Sequence, residues 1–82
     1  NNKRRQRLEK INASLTNLIA SLEEEKSKIE DVLDEETECK DNIPENLQGS
    51  ERYENAEAAC DALESAIICI EDAIENIEDA RM

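Results

Sequence analysis

Apolar residues in this chain recur in two heptad patterns that are separated by a short break. In each run the gaps alternate between three and four residues, the spacing of positions that pack knobs into holes between paired helices. The first run is Leu8, Ile11, Leu15, Leu18, Leu22, Ile29, Val32, Cys39 and Ile43, interrupted by Glu25 and Glu36. The second run is Tyr53, Ala56, Cys60, Leu63, Ile67, Ile70, Ile74 and Ile77. The pattern predicts two long helices that pack against each other.

The composition favours the same architecture. The 82 residues include one glycine, one proline and one aromatic residue, and 39% of them are charged, which is typical of long helices and coiled coils. We expect one all-α domain over residues 1–82, with helix 1 over about 3–40, a loop over 41–50 and helix 2 over about 51–81. Gly49 is expected to adopt the left-handed conformation and Ser50 to cap helix 2.

A link this short makes the two helices antiparallel neighbours. The numbers of facing residues in an antiparallel pair add up to a constant, and the value 92 pairs the two runs, so that Leu22 would face Ile70. Glu25 would then face Ile67 in mid-helix. Because a buried carboxylate is costly, Glu25 either lies at the solvated edge of the seam or sets the register against a basic group of a second chain.

Some apolar residues fall outside the predicted seam, and a lone hairpin would leave them partly exposed. Extra apolar width on a helix usually indicates another packed layer. We therefore expect either a homodimer that forms a four-helix bundle or a different protein that supplies the missing helices. The candidate interface consists of Ile19, Leu33, Ala62, Ile68 and Cys69.

The residues that most enzymes need are scarce in this sequence. It contains no histidine, so its serine and threonine hydroxyls have no imidazole to activate them and a Glu-x-x-His di-iron site has no histidine ligand. The acidic cluster 34–41 lacks the ligand order of a calcium loop. The three cysteines, Cys39, Cys60 and Cys69, show no C-x-x-C spacing, and we expect reduced thiols that pack as small apolar residues. No catalytic activity, cofactor or metal is predicted.

Charge is distributed very unevenly along the chain. Residues 1–10 hold five bases and one acid, whereas residues 11–82 hold five bases and twenty-one acids, for a formal net charge of −12. Such a body repels phosphates and anionic lipid, so neither nucleic acid nor membrane is an expected direct partner. With no long apolar segment or signal sequence evident, we expect a cytoplasmic protein.

An acidic row on helix 2 is the candidate acidic binding face. This face serves solubility, or it imitates nucleic acid and occupies the basic groove of a host protein. For the basic arm, residues 1–7, contact with phosphate, contact with acidic protein surface and a frayed, solvated terminus all remain open. The acidic row consists of Glu57, Glu64, Glu71 and Glu78.

The segment 43–54, Ile-Pro-Glu-Asn-Leu-Gln-Gly-Ser-Glu-Arg-Tyr-Glu, resembles small acidic helical-hairpin proteins of prophages and mobile elements in Gram-positive gut bacteria. The resemblance covers roughly residues 30–80. It implies a cytoplasmic accessory protein that engages a host or phage protein. Taken together with the lack of catalytic residues and the acidic surface, the sharpest hypothesis is a non-enzymatic protein whose acidic face inhibits a host nucleic-acid-binding enzyme.

A second resemblance concerns the loop. Leu47-Gln48-Gly49 between two helices is similar to the W-x-G hairpins that type VII secretion handles, as substrates or chaperones. Leu47 stands where that family has tryptophan, and the Tyr53 to Glu57 spacing lies beside the loop, whereas the family places the corresponding signal near its C-terminus. A purely structural dimeric coiled coil is the remaining alternative.

Overall fold

The computed structural model of the protein describes residues 1–81 and contains two long helices, α1 (Asn2–Asp41) and α2 (Glu51–Ala80), that pack against each other. The predicted all-α hairpin is confirmed. Side chains cap both helix starts, because the Asn1 Oδ1 accepts a hydrogen bond from the Arg4 N–H (3.0 Å) and the Ser50 Oγ accepts one from the Tyr53 N–H (3.3 Å). Each cap satisfies one of the amide groups that a helix start leaves without an intrahelical acceptor.

The connection between the helices is more compact than a simple loop. After α1 ends, Ile43 is buried, and residues Glu45–Leu47 form a single 3-10 turn. Gly49 does not have a positive φ angle, so the predicted left-handed glycine is wrong. The turn is instead closed by backbone hydrogen bonds from the Gln48 N–H to the Glu45 carbonyl (3.2 Å) and from the Ser50 N–H to the Leu47 carbonyl (3.0 Å).

The register between the helices differs from the predicted one. Three side-chain contacts cross between α1 and the α2 segment, and in each the residue numbers add up to 97. They are Lys26 Nζ to Glu71 Oε1 (3.7 Å), Thr37 Oγ1 to Cys60 Sγ (3.8 Å) and Arg81 Nη1 to Thr16 Oγ1 (3.0 Å).

The predicted constant of 92 is therefore wrong by five residues, or about 7.5 Å along the helix axis. It placed the reversal of the chain midway between the helix ends, at Asn46. The chain reverses instead between Gln48 and Gly49, because the buried Ile43 extends the packing beyond the end of α1.

The face that α1 turns toward α2 is also rotated from the predicted one. The row Leu8, Leu15, Leu22, Ile29, Glu36 and Ile43 packs inward as expected, and each of these side chains is buried or half-buried. The second predicted row, which contains Leu18, does not pack inward. Ile19 is only 7% exposed, whereas Leu18 is 52% exposed. We call Asn12, Ile19, Lys26, Leu33 and Lys40 the inner row, and Ile11, Leu18, Glu25, Val32 and Cys39 the outer row.

A lysine explains why the inner row packs against α2. The predicted rotation put Glu25 at a seam position, where it was expected to lie at the solvated edge, and the observed rotation puts Lys26 beside α2 instead. A lysine side chain can bury its aliphatic stem while its ammonium group stays near solvent, and the ammonium of Lys26 lies 3.7 Å from the Glu71 carboxylate. Glu25 remains exposed and accepts a hydrogen bond from Lys28 on its own helix (3.1 Å). The rotation thus avoids burying a carboxylate.

The predicted seam of α2 is confirmed, because all eight of its residues are buried or half-buried. The core is nevertheless thin. Among residues 1–81 no side chain is completely buried, and the five apolar residues that count as buried are Ile19, Ile43, Cys60, Ile67 and Ile74. The chain exposes 6407 Å², whereas a compact monomer of 9.3 kDa is expected to expose about 5,000 Å².

The two helices differ in length, and the longer one extends past its partner. Since Arg81 reaches Thr16, residues 2–14 of α1 lie beyond the end of α2, a length of about 20 Å. We call residues 2–14 the overhang. It accounts for part of the elongated shape of the molecule, whose principal extents are 67 × 16 × 14 Å.

Candidate protein-binding site

The outer row of α1 and an alanine row of α2 lie side by side on one flank of the hairpin. Near the loop, Cys39 lines a groove together with Ala56 and Ala59. Because both rows repeat every seven residues, Val32 and Ala66 continue the same flank one heptad away from the loop. We call this surface the apolar face. It consists of the outer row together with the alanine row Ala59, Ala66 and Ala73.

The apolar face is open to solvent along α1. Ile11, Leu18 and Val32 are 50%, 52% and 45% exposed, and Cys39 is exposed as well. The alanines of α2 beside Val32 and Cys39 are half-buried and have no side chain beyond the β-carbon, so another helix can approach closely there. An aligned row of exposed large apolar residues indicates an interaction surface, since scattered single residues would not form a row.

The structure brings only two of the predicted interface residues together. Leu33, which is half-buried, and the exposed Ile68 line one groove with Glu30 and Glu64, on the flank opposite the apolar face. Ile19 is buried between the helices, so it is part of the hairpin core and was wrongly placed on the surface. Ala62 and Cys69 are exposed on α2. For the four predicted residues other than Ile19 an interface role stays a prediction.

The sequence contained an indication that the outer row is exposed, but heptad spacing alone does not reveal it. The inner and outer rows of α1 both lie three or four residues from the shared row that contains Leu15 and Leu22. Heptad periodicity alone therefore cannot decide which of the two rows faces α2. The structure pairs Lys26 with Glu71, a contact that fits the inner row and the register of 97. The prediction that the more apolar row faces α2 is therefore wrong.

The opposite flank of the hairpin is acidic. Glu71 and Glu78 of the predicted acidic row line a groove with Glu23 and Glu75, and Lys26 contributes the basic group. Glu64 belongs to a neighbouring groove with Asp34, and all four members of the row, Glu57 included, are exposed. Carboxylates from both helices thus face the same solvent region. Use of this flank to occupy a basic groove on a host protein stays a prediction.

The basic arm forms part of a regular helix. The structure has helix from Asn2 onward, with the Asn1 side chain as its cap, so a frayed terminus is not observed. Arg4, Arg7, Leu8 and Ile11 surround a shallow hollow on the overhang. The overhang therefore combines basic groups with apolar side chains and lies beyond the reach of α2.

The cysteines are free thiols in three different settings. Cys60 is buried, with its sulfur 3.8 Å from the Thr37 hydroxyl, whereas Cys39 and Cys69 are exposed. Within residues 1–81 no three histidine, cysteine, aspartate or glutamate side chains converge as a metal site would require. The groups that the surface presents in organised form are an apolar row and charged flanks, which are the chemistry of a binding surface.

Neither helix, over the part of the chain that the structure describes, has a stretch long and apolar enough to cross a membrane. Comparison of the chain with models of protein families, with curated proteins and with solved structures gives no match.

Proposed function

We propose that this protein is a non-enzymatic binding module, a helical hairpin whose apolar face is covered by the helices of a protein partner to complete a four-helix bundle. The observation that carries this proposal is the exposed row Ile11, Leu18 and Val32 of α1, which the half-buried alanines of α2 flank on the side toward the loop. Two helices alone bury one stripe each, and α1 has a second apolar stripe that α2 does not cover.

The thin core supports the same conclusion. Isolated helices depend on tertiary packing for most of their stability, and this chain exposes 6407 Å², about 1,400 Å² more than a compact monomer of its mass. A standard protein interface removes about 800 Å² from each partner. A partner on the apolar face would therefore remove somewhat more than half of this excess exposed surface.

The acidic flank has a complementary role in this proposal. Charged side chains are depleted from the centres of interfaces and enriched around them, and the apolar face has one acidic residue, Glu25, in its outer row. The carboxylates on the other flank keep that side of the hairpin hydrated. The partner is thus directed to one side of the molecule.

A charge placed on the apolar face tests the proposal. Leu18→Glu should weaken binding of partner protein at least tenfold, because it replaces an apolar contact of the interface with a carboxylate that has no partner there. The matched control is Ile68→Glu, which changes an equally exposed isoleucine on the acidic flank and should leave binding within about twofold. Quantitative capture from the native host with the wild-type protein and both variants, together with sedimentation of each, gives the comparison. Equal loss for both variants, or loss for Ile68→Glu alone, would contradict the proposal.

A further inference from the structure

We infer that the partner on the apolar face is a second copy of this chain, packed antiparallel so that a two-fold axis passes beside Glu25. This inference rests on the binding face proposed above and adds the identity of the partner, its direction and its register. Three features of the chain lead to it: the symmetry of the outer row, the charge of the overhang and the uncovered apolar residues at both ends of the hairpin.

The outer row reads the same in both directions about Glu25. Ile11 and Cys39 are each fourteen residues from Glu25, and Leu18 and Val32 are each seven residues from it. If two α1 helices pack antiparallel with facing numbers that add up to 50, Leu18 of one copy faces Val32 of the second copy. Ile11 likewise faces Cys39 of the second copy. A shift of one heptad in either direction would place an apolar residue against Glu25.

The polar position at the centre is suited to a two-fold axis. The two Glu25 carboxylates approach each other there, and each has a basic group at hand, since Lys28 lies 3.1 Å from Glu25 and 3.8 Å from Glu24 on the same helix. Two glutamates and two lysines around the axis form a cluster of alternating charge. A single polar position in an otherwise apolar row is a known means of fixing the register of paired helices.

The same register gives the overhang a place to pack. With facing numbers that add up to 50, residues 9–14 of one copy lie beside residues 36–41 of the second copy, and residues 2–8 extend along its turn, which follows the end of α1 at Asp41. The overhang holds five bases and one acid, whereas residues 36–48 hold four acids and one base. Opposite charges therefore meet at both ends of the dimer. A parallel dimer would instead place the two basic overhangs together, where they would repel each other.

Apolar residues at the two ends also match. The overhang presents exposed Ile11 and half-buried Leu8, and the loop end presents exposed Leu47 and Cys39. Within residues 1–81 no part of α2 lies beside the overhang, because Arg81, at the end of α2, already lies opposite Thr16. In the antiparallel dimer the loop end of the second copy packs along the overhang.

Cysteine crosslinking of the full chain tests both the partner and its direction. The background carries Cys39→Ser and Cys69→Ser and keeps the buried Cys60, so that the core is unchanged. In this background Glu25→Cys should give a covalent dimer under mild oxidation, because the same residue of both copies meets at the axis. Ile68→Cys, on the acidic flank, is the matched control and should remain uncrosslinked.

A second pair of variants distinguishes antiparallel from parallel packing. Ile11→Cys with native Cys39 retained and Cys69→Ser should form covalent dimers, because the two thiols of different copies face each other. Ile11→Cys with Cys39→Ser should not, since the two copies of position 11 lie 28 residues apart, about 42 Å along the axis. Circular dichroism checks that every variant stays helical, and sedimentation of the wild type should give about twice 9.3 kDa.

The outcomes separate this inference from the proposed function. A wild type that sediments as a monomer at every concentration would overturn the second copy as partner and leave the apolar face to a foreign protein. A dimer in which Ile11→Cys crosslinks without Cys39 would overturn the antiparallel register alone. A dimer that crosslinks through Ile68→Cys, and not through Glu25→Cys, would place the interface on the acidic flank and overturn the proposed binding face as well.

Discussion

The burial of the inner and outer rows of α1 is the opposite of what their apolar content predicts. The outer row has one charged residue, Glu25, yet it faces solvent, whereas the inner row contains Lys26 and Lys40 and packs against α2. The surface that α2 offers to each row explains the difference. Beside the inner row α2 carries glutamates, of which Glu71 pairs with Lys26, and beside the outer row it carries alanines. Which row is buried thus depends on the facing residues as well as on apolar content, and the more apolar row is left free to bind.

The largest expected effect comes from truncating one isoleucine of the inner row. Ile19→Ala removes a side chain that is buried between the helices and should lower the free energy of unfolding by about 2–4 kcal/mol at every protein concentration. Urea unfolding followed by circular dichroism over a range of protein concentrations measures this loss.

Leu18→Ala, one residue away on the outer row, is the matched comparison. Since Leu18 is half-exposed, its truncation should cost less than about 1 kcal/mol in dilute protein. A larger cost should appear only at concentrations where chains associate. If both truncations cost the same at the lowest concentration, the outer row would face α2 and the distinction between the rows would be wrong.

An exchange of charge between the rows has a smaller expected effect. Lys26→Glu places a carboxylate against Glu71 and the acids around it and should cost roughly 1 kcal/mol, less in high salt because salt screens the repulsion. Glu25→Lys, its counterpart on the outer row, should change the free energy of unfolding of dilute protein by less than about 0.5 kcal/mol. Thermal or urea unfolding at low and high salt compares the two. A larger loss for Glu25→Lys would show that Glu25, and not Lys26, lies in the seam.

Much of the hairpin followed from the sequence, but the rotation of α1 did not. The two helices, the Ser50 cap and the whole α2 seam are local or periodic features, and residue type and spacing predict those directly. The choice between two equally spaced rows requires knowing which residues of α2 face each row. That depends in turn on where the chain reverses, and the five-residue error in register arose because Ile43 packs beyond the end of α1.

The candidate binding face was affected by the same error. Ile19 and Leu33 were assigned to the surface because the outer row had been assigned to the core, and exchanging the rows moves the exposed apolar residues to Ile11, Leu18 and Val32. The expectation of uncovered apolar surface on α1 was sound in physical terms, since three adjacent apolar rows are wider than the stripe one neighbouring helix can cover. Its position could be found only with the register of 97.

Lys26 can favour burial of the inner row through its long aliphatic stem or through its charge. The smallest expected effect on stability distinguishes these two contributions. Lys26→Met keeps the stem and removes the charge, so the free energy of unfolding should stay within about 0.5 kcal/mol of the wild type if stem packing dominates. A double-mutant cycle with Glu71→Gln measures the charge contribution directly. We expect a coupling of about 0.2–0.5 kcal/mol that fades in high salt, because both side chains remain partly exposed at a separation of 3.7 Å. A coupling well above about 1 kcal/mol would instead make the ion pair the main reason that the less apolar row is buried.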